Sequence, residues 1–259
     1  MINRLFPFWS FFNYWLKKED KFSIQSPLLF KTYGRLFDFI LAKDHFDLDI
    51  EVCRNSLLDY DEVIEVLDLG AGSKKVNTQK RKVSAITEYS TSSRKISQLL
   101  QYFCSLTPAE QVIELGTCVG LNTKYLARET KGCLATFEGA KELARIASSN
   151  LTESNVEIIL GNISDTLPKY LSKIDFVDFA FIDANHTYDS TLNSLKLLLQ
   201  KVHSGSIIAI GDIHWSSQMQ SAWTEIIKLP EVRLTLDFYE VGILFFEFPG
   251  KKECFVLDF

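Results

Sequence analysis

The chain of 259 residues is short of several things, and each shortage excludes a class of protein. It holds no run of the ~20 apolar residues that a bilayer-spanning helix needs, so no transmembrane segment is predicted. It lacks the basic excess that phosphate contacts favour: 28 Lys and Arg against 33 Asp and Glu give a net charge of -5. That argues against a dedicated nucleic-acid partner. Its cysteines (Cys53, Cys104, Cys118, Cys133 and Cys254) are odd in number and form no C-x-x-C pair. A disulfide framework is therefore not expected, and reduced thiols in a cytoplasmic protein are. Internal repeats and low-complexity tracts are absent too. What remains is an ordinary globular composition, 46% hydrophobic and 24% charged, enough for one large domain or a catalytic domain with an appendage.

The N-terminus departs from that average. Phe6, Phe8, Trp9, Phe11, Phe12, Tyr14, Trp15 and Leu16 crowd into one short span closed by Lys17 and Lys18. It has neither the long basic start nor the small-residue cleavage site of a secretory signal. Two uses stay open. One is an amphipathic helix packed on the main domain or on a second subunit, as in a homodimer. The other is peripheral membrane contact, which aromatics followed by lysines also suit. Ser26-Pro27 predicts a helix start, with Leu28, Leu29, Tyr33, Leu36, Phe37 and Ile40 giving its apolar face. A further short helix is expected within Asp44 to Tyr60.

Residues 63–75, VIEVLDLGAGSKK, read as a strand and a glycine loop. The next segment lacks the apolar face of a packing helix, so Gly70 and Gly72 are expected to make a turn. The neighbouring Lys74, Lys75, Lys80, Arg81 and Lys82 suit a solvated loop, or the steering of an anionic substrate.

From Lys95 the pattern becomes regular. Strands are expected at Gln111–Leu115, Cys133–Phe137, Val156–Leu160, Phe176–Ile182 and Ser206–Ile210, with helices between them. Two final strands, Val232–Tyr239 and Ile243–Phe248, are expected to pair as a hairpin through Glu240-Val241-Gly242, and Cys254–Phe259 to add to an edge. Such alternation predicts an α/β, Rossmann-like fold. Within it, Gln111 to Gly139 forms a nucleotide-binding βαβ unit. Gly116 and Gly120 let the backbone approach a ligand, and the strand-end Glu138 can hold a ribose diol. A dehydrogenase would prefer a third glycine beside the pyrophosphate; this chain has Asn122.

These features resemble the class I S-adenosylmethionine-dependent methyltransferases over residues about 95 to 248. The resemblance implies a seven-stranded, mostly parallel sheet with an antiparallel C-terminal hairpin, behind a helical N-terminal segment. Residues 1–94 would be a cap, substrate cover or dimer contact, and residues 95–259 the cofactor-binding domain. In the family's first motif, E-L-G-T-x-x-G, Glu114, Gly116, Thr117 and Gly120 would lie against the methionine part of the cofactor. Glu138 would bind the ribose, and Gly161 and Asn162 would lie beside the adenine.

Downstream, FIDANHTYDS and IGDIHWS place Asp183, Asn185, His186, Asp212 and His214 at or just beyond strand ends, where one cleft mouth could gather them. This resembles a small-molecule O-methyltransferase subgroup with I-D-x-x-H-x-Y after the fourth core strand. The resemblance implies His186 as base and Asp183 as its orienting partner or a cofactor contact. It also implies Asp183 and Asp212 as ligands of a divalent ion such as Mg2+. The catechol type has Asp-Asn after the fifth strand, and here Ile213 follows Asp212. The blander roles are a helix cap for His186, a lid pair or packed turn for His214 and Trp215, core packing for Trp223, and an N-cap for Ser92 or Ser93.

The expected function is S-adenosylmethionine-dependent methyl transfer to a small-molecule acceptor, at a hydroxyl oxygen. The alternatives are a non-catalytic S-adenosylmethionine-binding or interaction module and, behind it, an NAD-dependent oxidoreductase.

Overall fold

The computed structural model describes residues 2–66 and 80–259, with side chains from residue 6 onward. The turn expected at Gly70 and Gly72, with Lys74 and Lys75, lies outside the described residues.

The N-terminal part supplies α1 (Ile2–Lys17), α2 (Pro27–Lys43), α3 (Leu48–Leu58), a two-stranded ribbon of β1 (Val63–Glu65) and β2 (Lys80–Lys82), and α4 (Val83–Ser90). Then follow α5 (Arg94–Ser105), β3 (Gln111–Leu115), α6 (Leu121–Glu129), β4 (Cys133–Glu138), α7 (Lys141–Asn150), β5 (Val156–Leu160), α8 (Ile163–Leu171), β6 (Val177–Ile182), α9 (Tyr188–Leu199) and β7 (Val202–Gly211). The chain closes with α10 (Ser217–Ile226), β8 (Leu234–Asp237), β9 (Val241–Phe245) and β10 (Glu253–Val256). Helix starts follow local chemistry. The Ser26 hydroxyl accepts from the Leu29 amide at 3.5 Å ahead of Pro27, and Ser93 accepts from Ile96 at 3.3 Å.

The main sheet has the order β10-β8-β9-β7-β6-β3-β4-β5. Strands β3 to β7 run parallel, and β9 is antiparallel to both β7 and β8. These are the seven expected core strands. β10 adds an eighth by pairing parallel to β8. Its end is clamped from the N-terminus: the Tyr14 hydroxyl donates to the Leu257 carbonyl at 2.6 Å, and the Glu19 amide to Val256 at 2.8 Å.

The hairpin turn differs from the expected one. It is Phe238–Glu240, closed by the Phe238 amide on the Val241 carbonyl at 2.9 Å, with Tyr239 taking the positive φ of 69°. Gly242 lies inside β9 instead, because the Trp223 ring packs where its Cβ would be, at 2.5 Å.

Strand alternation sorts the core onto two sheet faces. On one, Val112, Phe179 and Phe181 meet α2 and α5 through Leu29, Leu36, Leu99 and Phe103. On the other, Ile113, Leu115, Phe137 and Ala180 meet α8, α9 and α10 through Leu167, Leu195 and Trp223. A third cluster joins α3 and α4 to α6 and α7 through Ile50, Leu57, Val83, Ile86, Tyr125 and Ile146. The N-terminal segment therefore packs beside the glycine loop. Among the described residues, no helix is long and apolar enough to cross a membrane.

Candidate active site

β3 and β6 are neighbours whose following helices lead away in opposite directions along the sheet, so the crevice at their carboxyl ends is where an open α/β sheet binds ligands. Gly116 ends β3 at φ 107°, and a Cβ there would stand 2.5 Å from the Asp183 carbonyl oxygen. A side chain would thus close the crevice at its root. Gly120, at φ 85°, caps α6 and donates its amide to the Thr117 carbonyl at 2.9 Å.

Glu114 is fully buried, and the sheet register explains its partners. It pairs with Thr136 across β3 and β4, so both side chains rise on the same face. One carboxylate oxygen accepts from the Thr123 hydroxyl at 2.5 Å and the Thr136 hydroxyl at 2.7 Å; the other accepts from the Asn122 amide at 2.8 Å. Thr117 extends the network through its hydroxyl contact with Thr136 at 2.6 Å. Burial pushes the Glu114 carboxyl up to about 7, with the three hydrogen bonds pulling the other way. The sequence marks Asn122 only as the residue in place of a third glycine and gives no sign of Thr123; for Thr136 the alternation of T-F-E along β4 is the available signal.

Glu138 ends β4. Its oxygens accept from the Cys118 amide at 2.9 Å and the Ala140 amide at 2.8 Å. Burial raises its pKa and these backbone bonds lower it. The two amides pin the carboxylate yet leave lone pairs on both oxygens, as a diol acceptor requires. Gly161 follows β5 at φ 137°, and exposed Asn162 caps α8 by accepting from the Ser164 amide at 3.0 Å.

The second constellation is partly gathered. Asp183, His186 and Asp212 each offer a ligand atom within 4.8 Å of the others. The His186 Nδ1 stands 3.5 Å from an Asp212 oxygen, and the Trp215 ring lies 5.8 Å from the imidazole. Burial pushes the Asp183 carboxyl up to about 6; the nearby His186 lowers it and Asp212 raises it. Asn185, His186 and Asp212 all take positive φ, at 64°, 42° and 56°. Such backbone costs about 1 kcal/mol or more per residue and concentrates at functional sites. Gly211 makes room here, since a Cβ would fall 2.1 Å from an Asp183 carboxylate oxygen.

Two residues of the expected group turn elsewhere. His214 binds Asp237 at 2.7 Å and stacks on Tyr239 at 5.4 Å, because the turn after β7 aims it at β8. Asn185 donates to the Ser190 hydroxyl at 3.0 Å, in the first turn of α9. His186 is not the cap of α9: the Thr187 hydroxyl accepts from Ser190. Glu240, whose carbonyl accepts the Asp212 amide at 2.6 Å, was not foreseen. Burial, with the Asp212 charge adding, raises the Glu240 carboxyl pKa.

Residues 113–213 match the family model described as a methyltransferase domain. No curated protein matches the chain. Among solved structures, it is similar to the O-methyltransferase TomG from Streptomyces achromogenes, in complex with SAM and involved in tomaymycin synthesis. Identity is 20%, over 63% of this chain and 86% of that one, with a TM-score of 0.53. An O-methyltransferase from Bacillus cereus in complex with SAH is 19% identical over 60% of this chain and 82% of that one, with a TM-score of 0.50. The SAH-bound methyltransferase PaMTH1 from Podospora anserina is 16% identical over 61% and 80%, with a TM-score of 0.51. The fold is the Rossmann-like fold of these methyltransferases, and residues 113–213 are similar to a methyltransferase domain.

Proposed function

We propose that this protein is an S-adenosylmethionine-dependent methyltransferase acting on a hydroxyl oxygen of a small molecule. The observation that carries the reading is the pairing of two features across one crevice. The Gly116 cradle and the pinned carboxylate of Glu138 lie at the ends of β3 and β4, and Asp183, His186 and Asp212 gather at the ends of β6 and β7.

The residues present fit the cofactor. Glu138 would accept the ribose hydroxyls, Gly161 and Asn162 would border the adenine, and Gly116, Thr117, Gly120 and Asp183 would hold the methionine part. Glu114 acts from beneath, holding the start of α6 to β3 and β4 through Asn122, Thr123 and Thr136. When bound, S-adenosylmethionine supplies an electrophilic methyl group on a sulfonium. The chain must align an acceptor oxygen with it and remove one proton. With Nδ1 turned to Asp212, which orients the ring, and Asp183 beside them, the His186 imidazole would offer Nε2 to take that hydroxyl proton. Trp215 screens the histidine from solvent on one side.

The same three residues form a donor set for a divalent cation. Two carboxylates suit Mg2+, which keeps several waters, and an imidazole beside them suits Mn2+. Within residues 1–94, α3 and α4 would act as the cover, since they pack on α6 and α7, the helices that follow Gly120 and Glu138. The five free cysteines accord with a reducing, cytoplasmic setting.

The test is release of S-adenosylhomocysteine with a panel of hydroxylated small molecules, with and without added Mg2+ or Mn2+. Turnover that His186→Ala lowers by about 100-fold or more supports the reading. Cofactor binding with no turnover on any acceptor, and indifference to His186→Ala, points to the non-catalytic binding module instead.

A further inference from the structure

α1 shows an apolar face with no partner among the described residues. Its packed side is narrow: Ser10 and Tyr14 are buried, Phe11 and Tyr14 meet the Tyr239 ring at 5.2 and 5.1 Å, and Lys18 pairs with Asp258 at 2.8 Å. The opposite side carries Phe8, Trp9, Phe12, Trp15 and Leu16, exposed by 65%, 56%, 40%, 54% and 60%. These positions recur at helical spacing and form one stripe, not scattered singles.

Charge selects the occupant. Residues 1–18 hold Arg4, Lys17 and Lys18 and no acid, in a chain whose net charge is -5. Lys17 is exposed at the end of the stripe, and Lys21 follows it over the Phe22 ring at 5.1 Å. Acids at that end are engaged or set back: Asp258 is taken by Lys18, Glu19 is half-buried, and the exposed Asp20 folds its carboxylate back onto the Phe22 and Ser23 amides at 2.9 and 3.0 Å, which leaves Lys17 and Lys21 as the outward charges. A second copy of this face would bring like charge to like charge. An anionic surface complements it, and Trp and Phe flanked by lysine is the composition of interfacial helices. With 16 residues, α1 is about 24 Å long, short of the ~30 Å bilayer core, so it would lie along the surface.

We propose that α1 docks this protein, through the stripe of Phe8, Trp9, Phe12, Trp15 and Leu16 with its basic end, on an anionic lipid surface. The stripe is held to the body through Tyr239, which also stacks on His214 two residues beyond Asp212. Docking therefore orients the crevice with respect to the bilayer. This proposal does not depend on the methyl-transfer reading.

The test is flotation of the full chain with phosphatidylglycerol–phosphatidylcholine vesicles and with pure phosphatidylcholine vesicles. Light scattering of the lipid-free protein runs alongside. Binding to the anionic vesicles is expected, weakened by salt and by pure phosphatidylcholine. The triple variant Trp9→Ser, Phe12→Ser, Trp15→Ser should bind about tenfold or more weakly. Lys17→Gln, at an exposed position, should bind about fivefold more weakly, the factor for one cation near an anionic surface. Failure to float with anionic vesicles overturns the proposal. So does a dimer that the triple variant converts to a monomer while vesicle binding stays absent, because a second copy then covers the face.

Discussion

Adding a single methyl group at Gly116 tests the crevice at its root. The residue sits at φ 107°, where an alanine is strained by about 1–2 kcal/mol. The new Cβ would also stand 2.5 Å from the Asp183 carbonyl oxygen and 3.1 Å from its carbon, both backbone atoms held by the β3–β6 ladder. Overpacking of that kind costs about 1–3 kcal/mol. Together they predict a loss of about 2–5 kcal/mol, which for a domain of this size lowers Tm by about 5–15 °C. Thermal unfolding followed by circular dichroism reads it directly. Gly34→Ala is the control, since a Cβ there meets nothing within 4 Å; inside α2 it should stabilise by about 0.5–1 kcal/mol. The surviving folded fraction of Gly116→Ala should also lose S-adenosylmethionine affinity, because the strand ends must part to admit the methyl. A Gly116→Ala protein melting within about 2 °C of wild type would refute the close approach of β3 to β6.

Three further outcomes are expected. The Glu114 carboxyl titrates at about 7 in the fold, above its ordinary 4.5, so its stabilising contribution is complete below pH 4.5 and is lost as pH rises through 7. Denaturant titrations should show stability falling by up to about 3 kcal/mol over that window, and Glu114→Gln should flatten the slope; an unchanged slope would refute the assignment. Asp178→Ala should destabilise by about 2–4 kcal/mol in urea, since this buried carboxylate accepts the Glu110 and Gln111 amides and His203. Wild-type stability in that variant would show those bonds to be dispensable. Mn2+ should bind the wild type, and Asp183→Asn should weaken it by about tenfold or more, read by the electron paramagnetic resonance of free Mn2+. Equal binding would place any metal elsewhere.

Much of this architecture was legible because the governing signals are local. The alternation from Gln111 to Ile210 set strand and helix periods, Ser26-Pro27 and Ser93 announced helix starts, and ELGTCVG marked the glycine turn. Glu138, 22 residues beyond Gly116, was readable from its place at a strand end. The rest depends on register and on contacts between segments far apart in sequence. Glu114 reads from the motif as an acid near the methionine part of the cofactor, and only the pairing with Thr136 reveals it as the hub of a buried network. His214 follows Asp212 by two residues, yet the backbone turn sends it to Asp237. Gly242 looked like a hairpin turn, and only the Trp223 ring explains a glycine within β9. β10 pairs where it does because Tyr14, 243 residues from Leu257, holds the chain end in place.

The central claim is that the crevice over Gly116 and beside Glu138 receives S-adenosylmethionine. Isothermal titration calorimetry with S-adenosylmethionine and, separately, NAD tests it most directly, on wild type and on a Glu138→Ala variant checked for an unchanged melting temperature. Saturable binding of S-adenosylmethionine and not of NAD is predicted. Loss of the carboxylate that accepts the ribose hydroxyls should weaken it by about 10- to 150-fold, the equivalent of about 1.5–3 kcal/mol. Absence of S-adenosylmethionine binding, or the same affinity in Glu138→Ala, would contradict the account.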